Sequence, residues 1–121
     1  MIREAEFLTA LELAREAVEA ASDKQAIDIV LLNVREVCSF TDYFVIISGT
    51  SDKQIEAISD EIEEALKKEG SRPIHREGAA DSGWVVLDFV DVVVHIFAPF
   101  EREFYQLEQF WSEAIPVVRI Q

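Results

Sequence analysis

The sequence predicts a single α/β domain that spans residues 1–121. Its 121 residues are enough to bury one core without help from disulfides or metals. Half of them are hydrophobic, which is typical of a globular chain despite the high charge. Runs rich in β-branched and aromatic residues alternate with capped stretches whose apolar residues recur at helical spacing. This alternation predicts strands and amphipathic helices packed around one core.

The first helix and two strands are predicted in the N-terminal part of the chain. Thr9 and Glu12 have the spacing of a capping box, so a helix begins there and ends near Ser22-Asp23. The stretches 26–34 and 42–48 are rich in β-branched and aromatic residues and predict two strands.

A second helix follows a sharp transition at Gly49. Ser51 and Gln54 have the spacing of another capping box, and Gly70 is a suitable residue for the C-terminal end of this helix. The short extended segment after it is expected at a sheet edge, because Pro73 cannot donate a hydrogen bond to a neighbouring strand.

The stretch GWVVLDFVDVVVHIF, residues 83–97, predicts a β-hairpin with a two-residue turn at Val90-Asp91. This register gives one wholly apolar face, suited to a core: Val85, Leu87, Phe89, Val92, Val94 and Ile96. The other face gathers Trp84, Val86, Asp88, Val93, His95 and Phe97. Such a mixture is typical of an interface with polar anchors, but a helix of the same chain could equally cover it.

A third helix is predicted after Pro99, because four apolar residues recur at helical spacing. They are Phe100, Phe104, Leu107 and Trp111. The apolar tail 114–121 could add an edge strand or lie across a neighbouring face.

Charge limits the classes of partner. Eleven basic against 24 acidic residues give a formal net charge of −13, and the densest basic spot is the pair Lys67-Lys68. Because this surface repels phosphate, direct binding to nucleic acid or to an anionic membrane is not expected. A basic protein partner suits the charge, and the alternative is that the acidity only keeps the protein soluble.

The expected compartment is the cytoplasm. A single cysteine, Cys38, cannot form an internal disulfide, which is consistent with a reducing environment. The first 20 residues lack the continuous apolar region of a signal peptide, and no apolar run is long enough to span a membrane.

One segment could support an enzymatic function. Gly49-Thr50-Ser51 lies between a strand and a helix N-terminus, where nucleotidyltransferases hold phosphate. Those enzymes also need metal-binding carboxylates soon afterwards, whereas here Asp88 lies on a strand and Asp91 at the tip of a turn. A nucleotide-binding or nucleotidyltransferase-type enzyme that uses this turn is therefore the alternative function, and no catalytic residue is predicted.

Metal binding would need several segments to converge. The candidate ligands are His75, His95, Asp88 and Cys38, and none of them has the spacing of a known zinc motif. Neither a metal site nor a cofactor is predicted.

Four blocks of the sequence resemble, in order and spacing, the ribosomal silencing factor family, also called the Iojap family. They are TDYFVIISGTSDKQIEAISDEIEEALKKEG, HREG, SGWVVLDFVDVVVHIF and EREFYQLEQFW, and the resemblance covers about residues 10–115. It implies a central mixed β-sheet flanked by helices, related to the nucleotidyltransferase-like superfamily but without its catalytic acids. It therefore implies a binding protein that is not an enzyme.

The resemblance also implies a partner. Proteins of this family bind the large ribosomal subunit through large-subunit ribosomal protein fourteen, block joining of the small subunit, and so repress translation when nutrients are limiting. Organelle relatives imply a role in large-subunit biogenesis as well. An exposed apolar face would also allow the free protein to form a homodimer.

The resemblance indicates which residues bind the partner. Trp84, Asp88 and His95 match positions of the family's hairpin, Asp91 matches the acid of its turn, and Phe97 shares their face. We expect Trp84 to be the aromatic anchor. Many relatives carry glycine at the position of Val90, and a β-branched residue resists positive φ, so the geometry of this turn is the open question.

Overall fold

The computed structural model describes residues 8–121, and residues 1–7 of the predicted domain lie outside this range. The helices are α1 Ala10–Asp23, α2 Asp52–Lys68, α3 Pro99–Tyr105 and α4 Leu107–Phe110, with a short 3-10 helix at Ala80–Ser82. The strands are β1 Ile27–Asn33, β2 Tyr43–Ser48, β3 His75–Glu77, β4 Trp84–Asp88, β5 Val92–Phe97 and β6 Ile115–Ile120.

The six strands form one mixed sheet in the order β3-β4-β5-β2-β1-β6. The pair β2 and β5 is parallel, and all other neighbouring pairs are antiparallel. This confirms the mixed α/β fold. The structure also settles the tail, since β6 is an edge strand beside β1, and it places β3 at the opposite edge, as Pro73 predicted.

Helices α1 and α2 cover one face of the sheet. Ala14, Ala17 and Ala21 of α1 have no exposed surface, and these small side chains let the helix approach the sheet closely. From α2, branched side chains fill the same layer. The buried members there are Ile55, Ile58, Ile62 and Leu66. Each such side chain stabilises the fold by about 1.5–3 kcal/mol relative to an exposed one.

The hairpin has the predicted register. Trp84 lies opposite Phe97 and Asp88 opposite Val93, and the wholly apolar face packs into the α1 and α2 layer. That face is buried as predicted: Val85, Leu87, Phe89, Val92, Val94 and Ile96.

Local hydrogen bonds explain where the long helices begin. The Thr9 backbone N–H donates to Glu12 Oε1 at 2.8 Å, and the Glu12 N–H donates to Thr9 Oγ1 at 3.2 Å, which completes the predicted capping box. At α2, Ser51 Oγ accepts from the Gln54 N–H at 3.0 Å as predicted, but the Gln54 side chain accepts from the Thr50 N–H instead of the Ser51 N–H. The second box is therefore only half formed.

Helix α2 ends where Gly70 predicted. Gly70 has φ of 86°, a conformation that costs other residues steric energy. Its N–H donates to Lys67 O, and the Ser71 N–H donates to Leu66 O, both at 2.9 Å. This is the hydrogen-bond pattern of a Schellman motif, which satisfies the last carbonyls of the helix.

The prediction of one continuous aromatic helix after Pro99 is wrong. The chain breaks at Gln106, whose φ of 52° lies in the left-handed region, and it continues as the separate short helix α4. The break turns the chain, so the residues before and after it no longer share a stripe. Leu107 and Trp111 pack on the sheet, whereas Phe100 and Phe104 project into solvent.

Candidate partner-binding face

The face of the sheet opposite α1 and α2 contains the predicted site. Residues directly opposite each other on paired strands point to the same side, so the register identifies its members. On β3, β4 and β5 they are His75, Glu77, Trp84, Val86, Asp88, Val93, His95 and Phe97. Three strands therefore bring Trp84, Asp88, His95 and Phe97 onto one side of the sheet, and Asp91 lies outside the strands in the turn.

This face is covered over one half only. Leu107, Trp111 and Ala114 pack over the part formed by β1 and β2, where Phe44 and Ile46 lie buried. On β4, Trp84, Val86 and Asp88 remain partly exposed. The alternative of a covering helix therefore holds for one half of the face, and the other half is open.

Trp84 is the fixed aromatic group of the open half. Its ring stacks on Phe97 at a centroid distance of 4.9 Å and lies 4.5 Å from the Tyr105 ring. Its indole Nε1 donates a hydrogen bond to His95 Nδ1 at 3.2 Å. These contacts hold the Trp84 side chain in one orientation.

His95 supports Trp84 and is suited to no acid–base chemistry at neutral pH. Burial lowers the pKa of His95 to about 4, so its ring is neutral. Because Nδ1 accepts from Trp84, the ring proton resides on Nε2. This Nε2 is buried without a hydrogen-bond partner among residues 8–121, and the ring stands edge to face with Phe44 at 5.2 Å.

The structure corrects the exposure expected of two predicted residues. His95 is 8% exposed and Phe97 is 0% exposed, so neither offers a surface to a partner in this conformation. Both lie on β5, an interior strand whose neighbours on this face are the large rings of Trp84 and Phe44. They were assigned to the right face, but they lie beneath its surface.

The turn of the hairpin explains the position of Asp88. Val90 has φ of 77°, and the Asp91 N–H donates to Phe89 O at 3.0 Å, the i to i+2 bond of a γ-turn. The Asp88 carboxylate accepts from the Val90 N–H at 2.8 Å, which holds this turn in place. Asp88 therefore shapes the loop as well as contributing charge to the face.

Asp91 joins the turn to the neighbouring strand. Its carbonyl oxygen accepts from the N–H groups of Asp42 and Tyr43, each at 3.1 Å. Asp91 itself is exposed at the end of the hairpin. The backbone of this residue is therefore fixed, and Asp91 lines a surface pocket beside the N-terminus of α1.

Sequence reasoning missed Glu77 and His75 as members of the face. His75 Nε2 and Glu77 Oε2 are 2.7 Å apart, and both residues are exposed on the edge strand β3. Glu77 lies beside Trp84 and Val86, so it adds a carboxylate to the open half, while Asp88 lies at the other end of β4. The HREG block contained the signal, because the alternation along β3 places its first and third residues on one side.

Arg76, between these two residues, points to the opposite side. Its guanidinium donates to Glu63 at 2.6 Å and to Asp60 and Glu56 at 3.3 Å each, all on α2. Burial opposes the charge of Arg76, but the hydrogen bonds to Glu63 and Asp60 outweigh it and raise the pKa above its ordinary value. This contact fixes the edge strand and so fixes which side carries Glu77.

The turn of the alternative enzymatic function is already occupied by internal hydrogen bonds. The Gly49 N–H donates to Phe97 O at 2.9 Å, and the Thr50 N–H donates to Gln54 Oε1 at 2.7 Å. A phosphate there would have to displace Gln54 and would meet Asp52 in the first helical turn. Among residues 8–121 no three His, Cys, Asp or Glu side chains come together as metal ligands, and no helix is long and apolar enough to cross a membrane.

Comparisons with known proteins agree on one family. Residues 8–121 match the family model described as ribosomal silencing factor during starvation. A ribosomal silencing factor of Halalkalibacterium halodurans is 38% identical over 110 residues, which cover 91% of this chain and 93% of that protein.

Two further similarities extend this result. A mouse protein named mitochondrial assembly of ribosomal large subunit protein 1 is 33% identical over 98 residues, or 78% of this chain and 43% of that protein. A crystal structure from Chromobacterium violaceum superposes with a TM-score of 0.84 at 30% identity, covering 87% of this chain and 88% of the other.

Proposed function

Because the chain belongs to the ribosomal silencing factor family, we propose that it binds the large ribosomal subunit through large-subunit ribosomal protein fourteen. Bound there, it blocks joining of the small subunit and represses translation under nutrient limitation. For this function the protein only has to cover a surface of the large subunit, and it does not have to catalyse a reaction. Because the proposed partner is part of the ribosome, we place the protein in the cytoplasm.

The partly exposed Trp84, on an open face that also carries carboxylates, is the observation that carries this proposal. Its ring is fixed by Phe97, Tyr105 and His95, as an anchor residue of an interface should be. On the same face Glu77 and Asp88 carry carboxylates, and Asp91 is exposed in the turn beyond Asp88. Together with the net charge of −13, they complement a basic ribosomal protein.

In this proposal the five residues predicted from the sequence have two roles. Trp84, Asp88 and Asp91 contact the partner directly. His95 and Phe97 lie below them and hold the Trp84 ring in its binding orientation.

Replacing Trp84 by alanine tests the proposal. We expect Trp84→Ala to weaken binding to purified large subunits by more than about 1 kcal/mol, because an interface loses its central ring. Co-sedimentation on sucrose gradients measures the binding, and light scattering measures the rate at which small and large subunits join in the presence of the protein.

The control for this variant is Phe110→Ala, which removes an exposed ring of α4 that packs on Trp111 instead of Trp84. Circular dichroism shows whether both variants fold. A folded Trp84→Ala protein that binds large subunits as tightly as the wild type would contradict the proposed site. A wild-type protein that does not bind large subunits would contradict the proposed function.

A role in large-subunit biogenesis is the second candidate function, and the name of the mouse relative favours it. Depletion of the protein separates the two functions. Accumulation of large-subunit precursors in growing cells would indicate assembly, whereas excess joined ribosomes in starved cells would indicate silencing.

A further inference from the structure

Three aromatic side chains of α3 form an exposed ridge. Phe100, Phe104 and Tyr105 are 72%, 67% and 47% exposed, and we call them the α3 ridge. Phe100 and Phe104 stack at 6.1 Å between centroids, Phe104 meets Tyr105 edge to face at 5.0 Å, and Tyr105 lies 4.5 Å from Trp84. The ridge is thus continuous with the proposed anchor.

The α3 ridge stands on a rigid support. Arg102, on the inner side of the same helix, is only 12% exposed in its side chain. It donates to Ser48 Oγ at 2.9 Å, to the Asp28 carbonyl, and to both oxygens of Glu108 at 3.2 and 2.8 Å. Since these bonds tie α3 to β1, β2 and α4, the ridge is held outward before any partner arrives. Binding to it would cost little conformational entropy.

Contiguous exposed aromatic rings mark an interaction surface. A scattered apolar residue on a surface is ordinary, whereas a group of large rings in mutual contact leaves a patch that favours burial. Tyr, Trp and Phe are also enriched at protein–protein interfaces relative to the rest of the surface. The α3 ridge therefore needs an occupant.

The charges around the ridge select the occupant. Residues 99–113 contain four glutamates and one arginine, and Arg102 is paired with Glu108, which leaves three glutamates uncompensated within this stretch: Glu101, Glu103 and Glu113. These carboxylates disfavour RNA and anionic lipid. A second copy would bring the same acids and its own net charge of −13 to the contact. A protein segment that combines apolar side chains with Lys or Arg complements both properties.

We propose that the α3 ridge docks a basic protein segment that alternates apolar and cationic side chains, adjacent to the Trp84 contact. Its apolar groups cover Phe100 and Phe104, and its cations face Glu103 and the ring faces. The source of the segment, a protein at the same site on the large subunit, rests on the proposed function. The chemistry of the segment does not.

The first test removes the ridge. We expect the double variant Phe100→Ser/Phe104→Ser to bind purified large subunits about tenfold more weakly than the wild type, equivalent to about 1.4 kcal/mol. Phe110→Ser is the matched control, because Phe110 is 75% exposed on α4 outside the ridge, and its affinity should stay within about twofold of the wild type. Unchanged binding by the double variant, while Trp84→Ala loses binding, would overturn the ridge proposal and leave the proposed function intact.

A synthetic peptide tests the ridge if the wild-type protein does not bind large subunits. The peptide is amphipathic, with leucines on one face and lysines on the other, and its control carries glutamates in place of the lysines. Fluorescence anisotropy should show binding of the lysine peptide alone, and the double variant should lose it while Phe110→Ser keeps it. Equal binding by both variants would overturn the proposal.

Charge reversal distinguishes the class of occupant. Glu103→Lys should weaken subunit binding several-fold, whereas Glu19→Lys on α1 makes the same change in net charge on the opposite side of the sheet and should have little effect. Stronger binding by Glu103→Lys would assign the ridge to RNA and overturn the proposal. A wild-type dimer in sedimentation velocity that Phe100→Ser/Phe104→Ser converts to monomer would assign it to self-association and overturn it too.

Discussion

Val90 has a positive φ, a backbone conformation that is unfavourable for a β-branched residue. The conflict was visible in the sequence, since a β-branched residue, which resists positive φ, occupies the predicted two-residue turn. The structure resolves it by keeping the tight turn and placing Val90 at φ of 77°. Two hydrogen bonds hold the turn in this conformation. The Asp91 N–H donates to Phe89 O, and the Val90 N–H donates to the Asp88 carboxylate.

We therefore expect Val90→Asn to stabilise the protein by about 1 kcal/mol, because asparagine tolerates the left-handed region and Val90 is half exposed. The urea midpoint should rise while the dependence of unfolding free energy on urea stays the same. Val90→Ala serves as the comparison, since it removes the branching without favouring positive φ. No gain for asparagine over alanine would contradict the strain.

His95 makes the stability of the protein depend on pH. Its pKa is about 4 in the folded protein, against 6.5 for an ordinary histidine, so between these values the unfolded chain binds the extra proton. The contribution of His95 to the free energy of unfolding is therefore fully present above pH 6.5 and is lost as the pH decreases toward 4. At about pH 5 the loss from this residue is about 2 kcal/mol.

His95→Gln is expected to remove this component while keeping an acceptor for the Trp84 indole. The unfolding free energy at about pH 7 and at about pH 5 should therefore differ less in the variant than in the wild type. The many carboxylates contribute equally to both proteins and cancel in the comparison. An identical pH dependence in the two proteins would show that His95 titrates normally.

Among the elements, the hairpin was predictable and the aromatic helices were not. A one-residue slip would have placed His95 on the same side as Val85 and Leu87 in the core, so only one register satisfied the alternation. No comparable sequence pattern determined the path of residues 99–111. Their helical period indicates a stripe, but it cannot say that Gln106 turns the chain and leaves Phe100 and Phe104 in solvent.

Arg102 joins these short helices to the sheet. We expect Arg102→Met to destabilise the protein by about 2 kcal/mol, because Glu108 and the buried Ser48 hydroxyl both lose their partner. Thermal unfolding measures the loss, and limited proteolysis shows whether the segment from α3 to β6 opens first. Arg102→Lys should recover only part of it, since lysine cannot reproduce the paired bonds to Glu108. Full recovery by lysine would mean that charge alone matters.

Over the whole molecule, the net charge of −13 should govern association with the proposed ribosomal-protein partner. Raising the salt concentration from about 0.01 to about 0.1 M shortens the screening length from about 30 to about 10 Å. We expect the affinity for isolated large-subunit ribosomal protein fourteen to fall several-fold, mainly through slower association. Stopped-flow kinetics measures this, and a rate independent of salt would contradict a steered encounter with a basic partner.

Alternation, capping residues and charge are local properties, so the amino-acid sequence was enough to predict most elements, the hairpin register and the acidic character of the chain. It also placed Trp84, Asp88 and His95 on one face. The depth of each residue and the groups that cover it became known from the folded chain alone. Exposure depends on neighbours distant in sequence: β5 is an interior strand, so Phe97 is buried, and the break at Gln106 directs α3 outward.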